Sequence, residues 1–291
     1  MKRLVLLALM ASTLSAAAPD VLVLHERLRP TGEVTGPAVE MTVRWDPKHT
    51  ALIVCDMWDD HWCKGAARRV TELAGPLNAV LRDARARGIF IIHAPSSVTR
   101  FYDGTAAREL ARQAPYSPTP VPLTTQERWG TGWCWPDSPR EKALPIDDSD
   151  MGCDCPTKCT IREAWTRQNA ALEILPGDAL SDNGQETWNL LAQRGITNVI
   201  LTGVHLNMCV LGRPFAIRQQ VRLGKNVVLC RDLTDTMYNH EKAPHVSHFD
   251  GTDLVIGHVE RYWCPTITST DLTGRPSFRF QEDTRPTRAA D

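Results

Sequence analysis

The stretch Val199-Ile-Leu-Thr-Gly-Val-His-Leu-Asn-Met-Cys209 decides the fold. Its apolar start predicts a buried strand at residues 198–202, and the residues from Cys209 to Leu223 predict a helix that ends at Gly224. A second apolar run follows directly at residues 226–230. A strand, a helix and another strand in this order are typical of a parallel sheet.

The same alternation continues upstream and downstream of that stretch. One apolar run ends before Asp56 and another ends at His93, with an amphipathic helix between them. Asp182 and Gln185, three residues apart, resemble a capping box at the start of a further helix. The predicted elements are strands at residues 51–55, 89–93 and 171–175, and helices at residues 66–87, 106–113, 182–194 and 252–263.

This pattern predicts an α/β protein with a three-layer αβα, Rossmann-like fold and a mostly parallel central sheet. A length of 291 residues and a hydrophobic content of 42% suit one large domain. We expect this domain at residues 50–268, after an N-terminal β-hairpin extension at residues 19–49. A long Cys- and Trp-rich insertion interrupts the domain at about residues 95–168, and residues 269–291 are predicted to form a flexible tail.

Residues 1–18 have the pattern of a secretory signal peptide. Lys2 and Arg3 precede an apolar run that is too short to span a membrane, and small residues follow it. We therefore expect an exported, periplasmic or extracellular protein with no membrane contact in its mature form. Because 33 Lys and Arg nearly balance 34 Asp and Glu, the chain has no large net charge that would attract nucleic acid. A small-molecule substrate is the expected partner, and the oligomeric state stays open, a homo-oligomer included.

Nine cysteines allow two interpretations of the insertion. In an oxidising compartment, Cys134, Cys153, Cys155 and Cys159 favour disulfides that fix a long loop. The alternative is a zinc site with thiolate ligands. The spacing does not separate the two, because the cluster lacks the paired Cys-x-x-Cys knuckles of a zinc motif.

Cys209 is the candidate nucleophile. In α/β sheets, ligands bind beyond the carboxyl ends of the strands, where Asp56, His93 and Cys209 are all expected. The start of a helix favours a thiolate at Cys209, and Asp56 could accept the thiol proton. A buried structural cysteine is the other interpretation, and position alone does not decide between them. The further residues predicted at this edge are the turn at residues 176–178, the loop at residues 203–209, Arg231 and Asp232.

Two motifs resemble the isochorismatase-like cysteine hydrolases, the family that includes the nicotinamidases. The loop that ends at Cys209 matches the family's order of Gly, an apolar residue, a small residue, Thr, Asp or Asn, any residue, and then Cys. The segment Leu52-Ile-Val-Cys-Asp56-Met-Trp resembles the family's first strand with its terminal aspartate. The motifs occur in the family's order, and the resemblance covers roughly residues 50–263.

The resemblance implies roles for several residues. Cys209 would attack an electrophilic carbon, usually an amide carbonyl, while Asp56 moves the proton. A cis peptide bond is implied between Val204 and His205, and the backbone N–H groups of His205 and Cys209 would form the oxyanion hole.

The family's third catalytic residue, a lysine at the end of the third strand, has no counterpart here. The chain has Leu175-Pro176-Gly177 at that place, and no lysine occurs between Lys158 and Lys225. We predict Lys64, just beyond the first strand, as the stand-in, with Arg167 as a weaker choice. The competing interpretation is that Lys64 is an ordinary surface residue.

Asp60, His61, His93 and Asn207 are predicted to contact the substrate. Nicotinamidases hold a metal through an Asp-x-His element after the second strand, whereas this chain has His93-Ala-Pro-Ser-Ser. We therefore expect no cofactor, although Asp60 with His61, or the Cys153 cluster, could ligate a metal. The tryptophans of the insertion fit either an aromatic lid or simple packing; they are Trp129, Trp133 and Trp135.

The sequence thus predicts an exported cysteine hydrolase that cleaves a small amide or related C–N compound through a covalent intermediate on Cys209. The alternative is a non-catalytic small-molecule-binding protein on the same scaffold, which the missing lysine favours. A third option is an enzyme of the same fold that cleaves a vinyl ether without a cysteine nucleophile.

Overall fold

The computed structural model describes residues 21–30, 37–128, 131–136 and 139–286, so the predicted signal peptide lies outside the described residues. The strands are β1 (Leu22–Leu28), β2 (Val39–Trp45), β3 (Thr50–Cys55), β4 (Phe90–Ala94), β5 (Glu127–Arg128), β6 (Thr131–Gly132), β7 (Ala179–Leu180), β8 (Asn198–Val204), β9 (Asn226–Asp235) and β10 (Thr266–Ile267). The α-helices are α1 (Lys64–Ala86), α2 (Ala106–Arg112), α3 (Gly184–Gln193), α4 (Ile217–Arg222), α5 (His248–Tyr262) and α6 (Thr270–Thr273). A π-helical turn spans Leu206–Val210, and short 3₁₀ turns span Pro47–His49 and Thr99–Tyr102.

Eight strands form one sheet in the order β2-β1-β10-β9-β8-β3-β4-β7. The six strands from β10 to β7 run parallel, and β1 and β2 add an antiparallel edge. The predicted α/β class with a mostly parallel sheet is confirmed. Because β3 lies between β8 and β4, the residue that follows β3 is surrounded by the carboxyl ends of both neighbours.

Alternate residues of the central strands face opposite helix layers, as the two-residue period of a strand requires. Ile53 and Cys55 pack with residues of α3, α4 and α5 in one buried core. Leu52 and Val54 pack with α1 in the other. Both faces of the sheet are therefore covered, which gives the three layers.

Two predicted elements are wrong. Residues 171–175 form no strand, because Leu172 instead packs into the core on the α1 side, and the strand at this edge is the short β7. The helix predicted from Cys209 is interrupted: the π-helical turn holds Cys209, and α4 begins only at Ile217. Pro214 lies in the interruption, since proline lacks an N–H donor and its ring clashes with the preceding helical turn.

The carboxyl end of β9 also differs from the prediction. The strand continues to Asp235, and Asp232 accepts a hydrogen bond from the Ser269 N–H at 2.8 Å. Asp232 therefore faces the C-terminal segment rather than the predicted ligand edge.

Residues 269–286, predicted as part of a flexible tail, instead pack on the domain. Leu272 and Phe280 are buried in the core on the α1 side. The guanidinium of Arg285 pairs with Asp250 and Asp253 on α5 at 2.8 and 2.6 Å. Within the described residues, no helix combines the length and the apolarity needed to cross a bilayer.

Glu141 fixes the long insertion to the helices behind the sheet. Its buried carboxylate accepts hydrogen bonds from Arg218 Nε at 2.8 Å, His258 Nε2 at 2.9 Å and Trp263 Nε1 at 2.8 Å. Burial raises the pKa of Glu141, but these donors outweigh it and lower the pKa from 4.5 to about 2.

Candidate active site

Asp56 and Cys209 meet at the carboxyl edge of the sheet. Asp56 directly follows β3, and the π-helical turn after β8 carries Cys209. The Cys209 thiol and the Asp56 carboxylate interact, and the backbone N–H of His205 points at the sulfur. The peptide bond between Val204 and His205 is cis, as the resemblance implied.

Asp56 is fully buried and held from two sides. Its Oδ1 accepts the Ser96 N–H at 2.7 Å, and its Oδ2 accepts Nε of Arg213 at 3.2 Å. Its backbone has a φ of 46°, in the left-handed region. The carboxylate is thereby aimed at the turn that carries Cys209.

The cation of this site is Arg213, and the prediction of Lys64 is wrong. Lys64 Nζ pairs with Asp60 at 2.6 Å at the exposed start of α1, where the lysine side chain is 55% exposed. Arg213 is 2% exposed, pairs with Asp56 and acts electrostatically on Cys209. The sequence offered one signal for Arg213: it is a basic residue four positions after Cys209, and that spacing brings two residues together on one helical turn.

The thiol of Cys209 is protonated at neutral pH, which corrects the expectation of a thiolate. Burial raises its pKa most, the negative charge of Asp56 raises it further, and Arg213 lowers it. Burial and Asp56 together outweigh Arg213, so the pKa of the Cys209 thiol is raised. The proton therefore stays on sulfur until Asp56 takes it.

A second carboxyl group, Asp182, follows the third parallel strand. Asp182 lies two residues after β7, and its Oδ2 accepts the Ser97 N–H at 2.8 Å. Burial raises its pKa, the charge of Asp56 raises it further, and Arg213 lowers it. The sequence interpretation of Asp182 as a helix cap is wrong, because Asn183 caps α3 through hydrogen bonds from Gln185 and Glu186.

Stacked rings form one wall beside the nucleophile. Trp58 stacks on Trp165 with centroids 4.4 Å apart, and His61 lies 5.6 Å from Trp165 and 6.2 Å from Trp58 with its ring nearly parallel to both. His61 also meets the edge of His205 at 5.0 Å. Burial lowers the pKa of His61 to about 4, so its ring is neutral near pH 7. We name Trp58, His61, Trp165 and His205 the aromatic wall.

Two polar atoms of the aromatic wall could serve a ligand. Among the described residues, His205 Nε2 and Trp165 Nε1 are buried and have no hydrogen-bond partner. Buried polar atoms are nearly always hydrogen-bonded in folded proteins. These two atoms are therefore the candidate polar contacts of the aromatic wall.

Three predicted substrate-binding residues serve other purposes. Both ring nitrogens of His93 are engaged, by Gln168 Oε1 at 3.0 Å and Asp178 Oδ2 at 3.3 Å. The amide of Asn207 bonds to the backbone of Met237 and to an insertion carboxylate. The carboxylate of Asp60 accepts the His61 N–H and the Lys64 ammonium. Of the four predicted residues, His61 alone lies in the aromatic wall.

For the tryptophans of the insertion, the sequence left open an aromatic lid or simple packing. Trp133 is buried beside Arg213, 5.5 Å from its guanidinium carbon, and Trp135 stands 36% exposed. Trp129 lies outside the described residues. Trp133 therefore fits the interpretation of simple packing. Cys209 is 5% exposed, so its side chain is almost entirely shielded from solvent.

No protein-family model matches the chain, and no curated protein matches it. Solved structures resemble it weakly. A cysteine hydrolase from Pseudomonas syringae pv. phaseolicola 1448A is 17% identical with a TM-score of 0.49, over 80% of this chain and 95% of that one. An isochorismatase family protein from Burkholderia thailandensis is 16% identical with a TM-score of 0.43, over 78% and 97%. An isochorismatase from Pseudomonas putida KT2440 is 12% identical with a TM-score of 0.45, over 77% and 90%. Likenesses this weak assign neither a family nor an activity to this chain.

Proposed function

We propose that the protein is a cysteine hydrolase that cleaves a small amide or related C–N compound through a covalent intermediate on Cys209. The observation that carries the proposal is the convergence of Cys209, Asp56 and Arg213, with the His205 N–H directed at the sulfur. A nucleophile beside a base that is itself held by a third group is the arrangement of covalent catalysis. The two sequence motifs of the isochorismatase-like hydrolases support the same chemistry.

In the proposed reaction, Asp56 takes the thiol proton as Cys209 Sγ forms a bond to the amide carbon. The backbone N–H groups of His205 and Cys209 stabilise the carbonyl oxygen as it gains negative charge. When the C–N bond breaks, Asp56 gives the proton to the leaving nitrogen, and a thioester remains on Cys209. Water then attacks the thioester, loses its proton to Asp56 and releases the acid, and that proton returns to the sulfur.

Arg213 has an electrostatic role in this scheme. Its charge lowers the pKa of Cys209 against the opposing effects of burial and Asp56. It therefore stabilises the negative charge that passes between sulfur and carboxylate. A buried guanidinium does this without exchanging a proton itself.

A binding protein without catalysis is the second candidate. The raised pKa and the 5% exposure of Cys209 favour it, because a buried neutral thiol is a poor nucleophile. The two candidates share the aromatic wall as the ligand surface. They differ in whether a bond to Cys209 forms.

The test is ammonia release from a panel of small primary amides, with intact-mass detection of an acyl adduct. We expect turnover by the wild type, loss of turnover and adduct in Cys209→Ala, and wild-type behaviour in Cys230→Ala. Cys230 is a matched control, since it is a fully buried strand thiol outside this site. Amides that bind by calorimetry but give no ammonia and no adduct contradict the hydrolase and support the binding protein.

We also propose that the protein acts outside the cytoplasm, as an exported member of this hydrolase group. The basic start, apolar run and small residues within residues 1–18 support this proposal. N-terminal peptide mapping of protein recovered from the periplasm or the medium tests it. We expect a mature chain that begins near residue 19, whereas an intact Met1 peptide in the recovered protein contradicts export by cleavage.

A further inference from the structure

Three cysteine thiols converge outside the candidate active site, and a fourth lies near them. Cys63 immediately precedes α1, and Cys153, Cys155 and Cys159 lie in the insertion. The sulfurs of Cys63, Cys153 and Cys155 are all within 4.8 Å of one another. The thiol of Cys159 lies outside this group of three but interacts with those of Cys153 and Cys155. We name these four residues the thiol cluster.

The membership of the thiol cluster differs from the sequence expectation. Cys134, expected beside the three insertion cysteines, lies elsewhere and accepts a hydrogen bond from Arg222 Nη1 at 2.7 Å. Cys63, about 90 residues upstream, takes the fourth place. The sequence spacing gave no sign of this, because the fold alone brings Cys63 to the insertion.

The spacing of the sulfurs fits a shared metal ion. Cys63 Sγ lies 3.8 Å from Cys155 Sγ. In a tetrahedral zinc site with zinc–sulfur bonds of about 2.3 Å, neighbouring sulfurs are about 3.8 Å apart. The observed separation is therefore that of two ligands on one tetrahedral ion.

Backbone N–H groups lie around the sulfurs. Cys155 Sγ accepts a hydrogen bond from the Gly65 N–H at 3.1 Å. The backbone N–H groups of Ala66 and Lys64 favour negative charge on Cys63 and Cys159. The insertion supplies its own donors as well, because the N–H groups of Cys155 and Cys159 both point at Cys153 Sγ. Donors of this kind orient metal ligands and stabilise their negative charge.

Opposing charges near the thiol cluster are also balanced. Asp154 Oδ1 is 3.6 Å from Cys63 Sγ, which would disfavour a thiolate there. The buried guanidinium of Arg69 neutralises Asp154 through a 2.6 Å contact. The first turn of α1 adds the positive end of a 23-residue helix.

We propose that Cys63, Cys153 and Cys155 bind one Zn²⁺, and that Cys159 moves in to complete a closed tetrathiolate site. Four protein ligands leave no open position for substrate, so the ion is structural. It ties the insertion to the start of α1, directly after His61. The insertion then continues to Trp165, so the ion fixes one half of the aromatic wall relative to the other.

The test is elemental analysis of the full-length protein purified without chelators. We expect one zinc per chain in the wild type, loss of zinc in Cys153→Ser and Cys159→Ser, and retention in Cys134→Ser and Cys264→Ser. The last two are matched controls, because both remove a buried thiol outside the thiol cluster.

A second measurement applies if the serine variants do not fold. The wild type is stripped with a chelator under reducing conditions and titrated with Co²⁺. We expect saturation at one equivalent, with the thiolate charge-transfer and intense visible absorption of tetrahedral cobalt. A wild type without zinc that also gives no such absorption overturns the proposal. So does non-reducing peptide mapping that finds Cys63 or Cys153 in a disulfide.

Discussion

Replacement of Arg213 by Met tests whether this arginine is the charge partner of the site. The side chains of Arg213 and Asp56 are 2% and 0% exposed, and they are 3.2 Å apart. Removing one partner of a buried ion pair typically costs about 3–5 kcal/mol of unfolding free energy, because the other charge stays buried without compensation. We expect a loss of this size for Arg213→Met, and a comparable loss for Asp56→Asn.

The double variant separates the ion pair from general damage. With both charges removed, no uncompensated charge remains, so the combined loss should be smaller than the sum of the single losses by about 0.5–3 kcal/mol. The assay is urea unfolding followed by tryptophan fluorescence. Arg82→Met is the control, because the pair between Arg82 and Glu173 lies on the surface, with the side chains 59% and 39% exposed. Surface pairs contribute little.

Two outcomes would refute the assignment. One is a loss for Arg213→Met no larger than that for Arg82→Met. The other is strict additivity in the double variant, which would mean that Arg213 and Asp56 stabilise the fold independently.

Three further predictions address reactivity, packing and pH. Arg213→Met should slow the alkylation of Cys209 by iodoacetamide at pH 7, because the pKa of this thiol rises further without the arginine; an unchanged rate by peptide mass mapping contradicts the electrostatic role. Gly203→Ala should destabilise the protein, since φ at Gly203 is +98° and an added Cβ would meet the Cys55 carbonyl of β3. Gly75→Ala, within α1, should instead stabilise the protein by up to about 1 kcal/mol, because nothing lies within 4 Å of an added Cβ there. Urea unfolding measures both changes. Glu141 has a lowered pKa of about 2, so the stability that it contributes above pH 4.5 should be lost as the pH falls from 4.5 towards 2. In acid titrations, the unfolding free energy of Glu141→Gln should fall less over that range than that of the wild type. Parallel curves of unfolding free energy against pH for the two proteins would contradict this.

The central elements of the fold follow from the sequence because their signals are local. Strands β3, β4 and β8 are apolar runs buried on both faces, and such runs are legible without knowledge of their neighbours. The edge strand β7 has two residues, and pairing with β4 defines it. The more apolar run that contains Leu172 packs against a helix instead. A short edge strand is thus fixed by tertiary contacts rather than by its own composition.

The residues of the candidate site likewise divide into those that the sequence marks and those that only tertiary contacts define. Asp56 and Cys209 are marked by their positions at strand ends, which the sequence shows. Arg213 and Asp182 become site residues through burial and through each other's charge, and neither property is written in a local pattern. The thiol cluster likewise depends on a contact between segments about 90 residues apart.

The stacked indoles of the aromatic wall provide a built-in optical reporter. Trp58 belongs to the segment that follows β3, whereas Trp165 belongs to the insertion, and their rings are 4.4 Å apart. Two chromophores this close share their excited states and give a paired circular-dichroism band that vanishes when they separate. A movement of the insertion relative to the segment after β3 would therefore be visible in the unlabelled protein by stopped-flow spectroscopy.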